Sequence, residues 1–130
     1  MGFKTLLDLG TMNIKYPQSS MLTRQDVIDK KRDQLRKFLK AYFIGLDRFV
    51  KDKKLGMKVL TTFTPIKDET IVSLDYDDWS KKYLDLNGIT TRELISGPLE
   101  QLGINRDGER EKIFLEVVNN SLVKEAKALR

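Results

Sequence analysis

Asp75, Asp77 and Asp78 are the densest group of potential metal ligands in this sequence. Carboxylates suit hard cations such as Ca²⁺ or Mg²⁺. On a helix, positions 75 and 78 share a face and 77 does not. No glycine-bearing ligand loop surrounds them, so a solvated acidic face is the simpler reading and no metal site is expected. Tyr76, Trp79 and Tyr83 would make a stacking surface if exposed, but their three-to-four spacing fits a helix core better. The chain has no cysteine and no histidine. Disulfides, thiolate nucleophiles and thiolate zinc sites are thereby excluded. The commonest general base is missing too. Paired-carboxylate hydrolysis needs two acids held across a cleft, and nothing singles out such a pair. The expectation is a protein that is not an enzyme and needs no cofactor.

Charge is distributed unevenly. The net charge is +5 over 130 residues. Residues 1–55 carry 13 Lys/Arg against 6 Asp/Glu, and residues 56–130 carry 11 against 13. The excess gathers at Lys30, Lys31, Arg32, Arg36, Lys37 and Lys40. Such a cluster is either a solvated helix face or an electrostatic footprint for nucleic acid. No exposed aromatics interleave with the bases as a stacking platform requires, and the acids at 29, 33, 47 and 52 dilute the patch. Nucleic acid is therefore not the expected partner.

These side chains must be held by helices. The longest periodic stretch runs from Asp33 to Asp52. Leu35, Phe38, Leu39, Tyr42, Phe43, Leu46, Phe49 and Val50 recur at steps that place them on one stripe. Asp33/Lys37 and Asp47/Lys51 are acid-before-base pairs four residues apart. A shorter helix from Arg24 to about Lys31 precedes it, with Thr23 as its N-cap, and Asp33 is placed to cap the longer one. A helix of about three turns follows through Phe63 and stops before Pro65. Asp68 or Thr70 opens another, with a partial stripe at Ile71, Leu74, Tyr76, Trp79 and Tyr83. Asn87-Gly88 marks a turn. Thr90 or Thr91 caps the next helix, which stops near Gly103. Residues 105–109 read as a loop, and a last helical region spans about 112–129 with a break at residues 119–121. Two strand candidates lie at the N-terminal end: Phe3 to Leu9, apolar on both faces as in a buried α/β strand, and Ser20 to Thr23. The expected class is therefore α/β and helix-rich, with two short strands followed by five or six helices. Residues 1–130 form one domain with no linker. No apolar run reaches the ~20 residues of a membrane span.

The order of these pieces resembles the C-terminal part of a known family. These are the ABC-importer substrate-binding proteins of the nitrate, sulfonate and taurine class, whose fold is shared with thiamine-pyrimidine synthases. The matching residues are Gly2-Phe3, Leu6 and Asp8-Leu9, then Tyr16-Pro17, then Thr23-Arg24. The helix Arg36-Lys37-Phe38-Leu39-Lys40-Ala41-Tyr42, with Gly45 and Phe49-Val50-Lys51, follows. Thr62-Phe63-Thr64, Asp68-Glu69, residues 79–83, 91–95 and 118–125 extend the similarity over essentially the whole chain. No single motif is diagnostic; the order and spacing carry it.

That resemblance implies a partial lobe of the type II periplasmic-binding-protein fold, present as a C-terminal fragment. It implies a solute-binding component of an importer, with a small anionic or zwitterionic solute, a membrane permease and the missing N-terminal lobe as partners. Uncovered apolar surface would promote self-association. The residues that the resemblance places nearest the cleft are Asn13, Tyr16, Ser19, Ser20, Thr23 and Arg24, where hydroxyl, amide and guanidinium groups recognise solutes. Each has a plain alternative: Thr23 as a cap, Tyr16-Pro17 as a turn. The synthase chemistry is set aside, because it resembles one in which a protein histidine supplies substrate atoms. A periplasmic or cell-surface location follows from the family. The first residues lack a basic start, a long apolar run and a cleavage site, so no export signal is expected; a chain expressed as it stands would be cytoplasmic. The competing reading is an independent helical interaction module that binds a partner, nucleic acid among the candidates, through the basic face at 30–40.

Overall fold

The computed structural model describes Lys4, Leu6, Leu7, Pro17 and residues 20–129. Its elements are six α-helices: α1 (Gln25–Lys51), α2 (Lys53–Phe63), α3 (Glu69–Asp78), α4 (Arg92–Gln101), α5 (Asp107–Val117) and α6 (Ser121–Ala128). A π-helical turn, Trp79–Tyr83, continues α3.

The α/β expectation is corrected here. Among the described residues there is no strand and no sheet. Residues 20–23 are exposed and irregular. The first candidate, Phe3 to Leu9, lies outside the described residues except for Lys4, Leu6 and Leu7, which are not in a strand. The physical reason is the absence of a neighbour. A strand satisfies its backbone N–H and C=O groups only through a ladder, and the helices that make up the rest offer none. With the sheet goes the partial type II lobe.

Helix starts follow local chemistry. The Asp68 carboxylate accepts from the N–H groups of Thr70 and Ile71 at 2.9 and 3.2 Å. The Thr91 hydroxyl accepts from Leu94 at 3.3 Å. Asp52 serves two helices: its N–H closes α1 onto the Arg48 carbonyl, and its carboxylate accepts from Leu55 at the start of α2. Each satisfies a helix-end group that has no intrahelical partner. Thr23 does not cap α1. Arg24 takes that place in extended geometry, with no side-chain cap. The expected division between two helices is present as a kink: Lys31 leaves helical geometry at φ −129°, ψ 25°. Asp33 pairs with Lys37 at 2.7 Å. Helix α5 begins at Asp107, inside the expected loop.

The chain gathers into two compact units, one holding Ile89–Asn120 and the other joining Arg24–Gly88 to the segment from Ser121. In the second, α1 packs against α2 and α6, and α2 against α3. Ile28, Val72, Tyr76, Leu122 and Ala126 are buried there. Tyr76 lies against Phe49, with ring centroids 5.4 Å apart, and its hydroxyl donates to the Val50 carbonyl at 2.7 Å. Gly56 makes room for it; a Cβ there would sit 2.3 Å from the ring. Most of the α1 stripe finds its partner inside this unit: Leu35, Leu39, Phe43, Leu46, Phe49 and Val50 are half-buried, while Phe38 and Tyr42 stay exposed. The stripe expected on α3 is rotated. Val72 is its most deeply covered residue, and Ile71 and Leu74 face outward.

In the other unit, α4 and α5 close on Leu99 and Phe114. Gly103, at φ 79°, ends α4, and the Ile104 N–H returns to the Leu99 carbonyl at 2.9 Å. This is the left-handed C-terminal stop that glycine favours. The Asn120 side-chain amide pairs with both backbone groups of Thr90, at 3.1 and 2.8 Å.

Candidate functional site

Of the residues that the resemblance places near a cleft, Asn13, Tyr16 and Ser19 lie outside the described residues. Ser20, Thr23 and Arg24 are exposed on the segment leading into α1. Arg24 donates to the Asp26 carboxylate at 2.9 Å. None of these three lines either of the two concavities below.

The better-formed concavity is a groove of about 300 Å³ between α4 and α5. Its walls carry Arg92, Glu93, Ser96, Asp107, Arg110 and Glu111, with Ile95, Leu99 and Phe114 as the apolar floor. Thr91 fixes the start of α4, so Arg92 projects from its first turn toward Glu111, one turn inside α5. The guanidinium makes a two-pronged contact, Nε to Oε2 at 2.5 Å and an Nη to Oε1 at 2.6 Å. Its carbon also sits 4.4 Å from the Phe114 ring centre. Hydrogen bonding to Glu111 raises the Arg92 pKa, and hydrogen bonding to Arg92 lowers that of Glu111. Arg110 donates to the Ile104 carbonyl at 2.8 Å and pairs with Glu100 at 3.0 Å. Both cations are thus committed to carboxylates. The groove is amphiphilic, with both of its cations paired, suited to fixing one helix against the other. A second, open depression of about 450 Å³ lies between α2 and α3 at Met57, Glu69, Thr70, Ser73 and Leu74.

Two of the three acids in the cluster, Asp77 and Asp78, are engaged in ion pairs. Asp77 accepts from Lys53 at 3.0 Å and pairs with Lys81 at 3.1 Å, and Asp78 pairs with Lys82 at 2.6 Å. The hydrogen bonds from Lys53 and then Lys81 lower the Asp77 pKa. Among the described residues no group of acids is arranged to hold a metal ion. The aromatic trio also divides. Tyr76 is core, whereas Trp79 and Tyr83 meet edge-on at 5.8 Å in the π-helical turn.

The basic patch is partly spent within the molecule. Arg32 donates to both oxygens of Glu125 and to the Ser121 hydroxyl, and Arg36 approaches the same carboxylate at 3.5 Å. Lys37 is held by Asp33. Glu125 was not singled out from the sequence. It lies 93 residues from Arg32, and no local spacing rule reaches that far. Hydrogen bonding to Arg32 lowers the Glu125 pKa. A depressed folded-state value means that the unfolded chain takes up this proton first. The pair's contribution is therefore complete above the ordinary glutamate range and is lost as pH falls through and below it. Urea midpoints measured against pH are expected to fall on acidification, and less steeply in Glu125→Gln; an unchanged slope would remove the pair from the pH response.

No described helix is long and apolar enough to cross a membrane. No protein-family model, curated protein or solved structure matches this chain.

Proposed function

We propose that this chain is the helical C-terminal portion of the solute-binding component of an ABC-type importer of the nitrate, sulfonate and taurine class. It acts by covering and orienting a ligand-binding lobe supplied by the rest of that protein. It is not an enzyme in this reading. The ordered run of family-like motifs suggests the assignment. The structural observation that supports it is apolar surface left open on α2 and α3, where Phe63 is 83% exposed, Leu74 64% and Ile71 48%. Exposed apolar side chains of this size are what a surface covered by a partner carries. The solute is small and anionic or zwitterionic, and the permease is the further partner. The nucleic-acid alternative is less favoured, because Arg32, Arg36 and Lys37 already face carboxylates.

The test is to read the DNA immediately upstream in every frame and co-express any encoded α/β lobe with this chain. Taurine, nitrate and short alkylsulfonates are then titrated calorimetrically into the pair. Saturable heat from the pair and none from the lobe alone is the expected result. Lack of an upstream lobe, or a pair that binds none of them, overturns the reading.

A further inference from the structure

Helix α1 turns a second apolar face outward, distinct from the open surface on α2 and α3. Phe38 is 57% exposed and Tyr42 40%, and Ala41 and Gly45 are exposed beside them. A Cβ built on Gly45 meets nothing within 4 Å. Along the helix the order is large, small, large, small at steps of three, one and three. That order is self-complementary. A two-fold axis passing between residues 41 and 42 of an antiparallel pair sets Phe38 over the other copy's Gly45 and Ala41 against the other copy's Tyr42. Knobs meet notches at all four positions, as close helix packing requires.

Charge agrees with size. Asp33 and Arg48 lie on the same flank of this face, at opposite ends. The same axis brings each copy's Arg48 beside the other's Asp33. Lys37 lies on that flank as well, but its ammonium is 2.7 Å from its own Asp33, so Arg48 faces a pair rather than a bare cation. Both Asp33 and Lys37 remain well exposed in the single chain.

We propose that this chain self-associates through α1, two copies pairing antiparallel along residues 38–45. The contact covers about two helical turns, so the dimer is weak and reversible, at the small end of protein interfaces. The inference does not depend on the importer reading, which rests on the surface of α2 and α3.

Sedimentation equilibrium on the full chain over a wide concentration range tests it, with Gly45→Leu as the decisive variant. The new side chain enters open space in the single chain and is a better helix former than glycine, so helicity and melting are preserved. It fills the notch for the other copy's Phe38, and the dissociation constant is expected to rise at least about tenfold. A merely sticky apolar patch predicts the opposite, tighter association with the larger apolar side chain. Arg48→Glu is expected to weaken the dimer, and Asp33→Arg combined with it to restore pairing. A parent chain that stays monomeric at all concentrations, or a Gly45→Leu chain that associates as tightly as the parent, overturns the proposal.

Discussion

Tyr76→Ala is expected to destabilise the unit built on α1, α2, α3 and α6 by about 3–5 kcal/mol, the usual cost of truncating a buried aromatic to alanine. Three contacts are lost together. The ring is 4% exposed and lies against Phe49. It fills the space that Gly56 leaves open, so truncation creates a cavity between α2 and α3. Its hydroxyl also serves the Val50 carbonyl. Val50 is one residue from the end of α1, so that carbonyl has no intrahelical donor. Tyr76→Phe isolates the last contribution and is expected to cost about 1 kcal/mol. The single tryptophan, Trp79, lies three residues away and reports the transition by fluorescence. A urea series that places Tyr76→Ala within about 1 kcal/mol of the parent would show that the neighbouring helices collapse into the space, contrary to this account.

The second large effect is at Gly88. Its φ of 62° is left-handed, and a Cβ there would lie 2.5 Å from the Phe43 ring. The ring has little freedom to retreat. The Lys127 ammonium sits 4.6 Å from its centre while donating to the carbonyls of Leu86 and Asn87 at 2.7 and 2.8 Å. Gly88→Ala therefore combines backbone strain of about 1–2 kcal/mol with overpacking of about 1–3 kcal/mol. The lower entropy of the unfolded alanine chain offsets only part of this. Gly103 supplies the control. Its φ is 79°, but a Cβ there meets nothing within 4 Å, so Gly103→Ala costs the strain alone. Equal losses at the two positions in urea melts would mean that Phe43 yields and the steric contribution is absent.

What the sequence revealed was mostly what neighbouring residues decide. Asp68 (or Thr70) and Thr91 (or Thr90) announce helix starts, and Asp68 and Thr91 are the ones that cap, because a carboxylate or hydroxyl two or three residues ahead of an N–H is a local arrangement. The helix boundary near Lys31 and the break before Ser121 were legible for the same reason. The phase of α3 was not. Ile71 and Leu74 are as apolar as Val72, and only the position of α2 decides which is covered. The strand reading at residues 20–23 failed similarly: an extended run becomes a strand only with a neighbour. Of the candidate ligand residues, Ser20, Thr23 and Arg24 followed from motif order, and motif order says nothing about convergence in space. The pairing of Arg32 with Glu125 had no local signature at all.

That pairing joins the two ends of a discontinuous unit. Of these six helices, α1 is the first to leave the ribosome and α6 is the last. Until residue 125 emerges, Arg32 and Arg36 have no Glu125 to meet, and the covering of Leu122 and Ala126 is not yet made. The whole of Ile89–Asn120 must be synthesised in between. The unit therefore completes itself only after α6 has been made, and until then α1 has α2 to pack on but lacks its cover from α6. A nascent chain stalled before Ser121 should be more open to protease along α1 than the finished protein, which makes the order of synthesis part of how this molecule acquires its form.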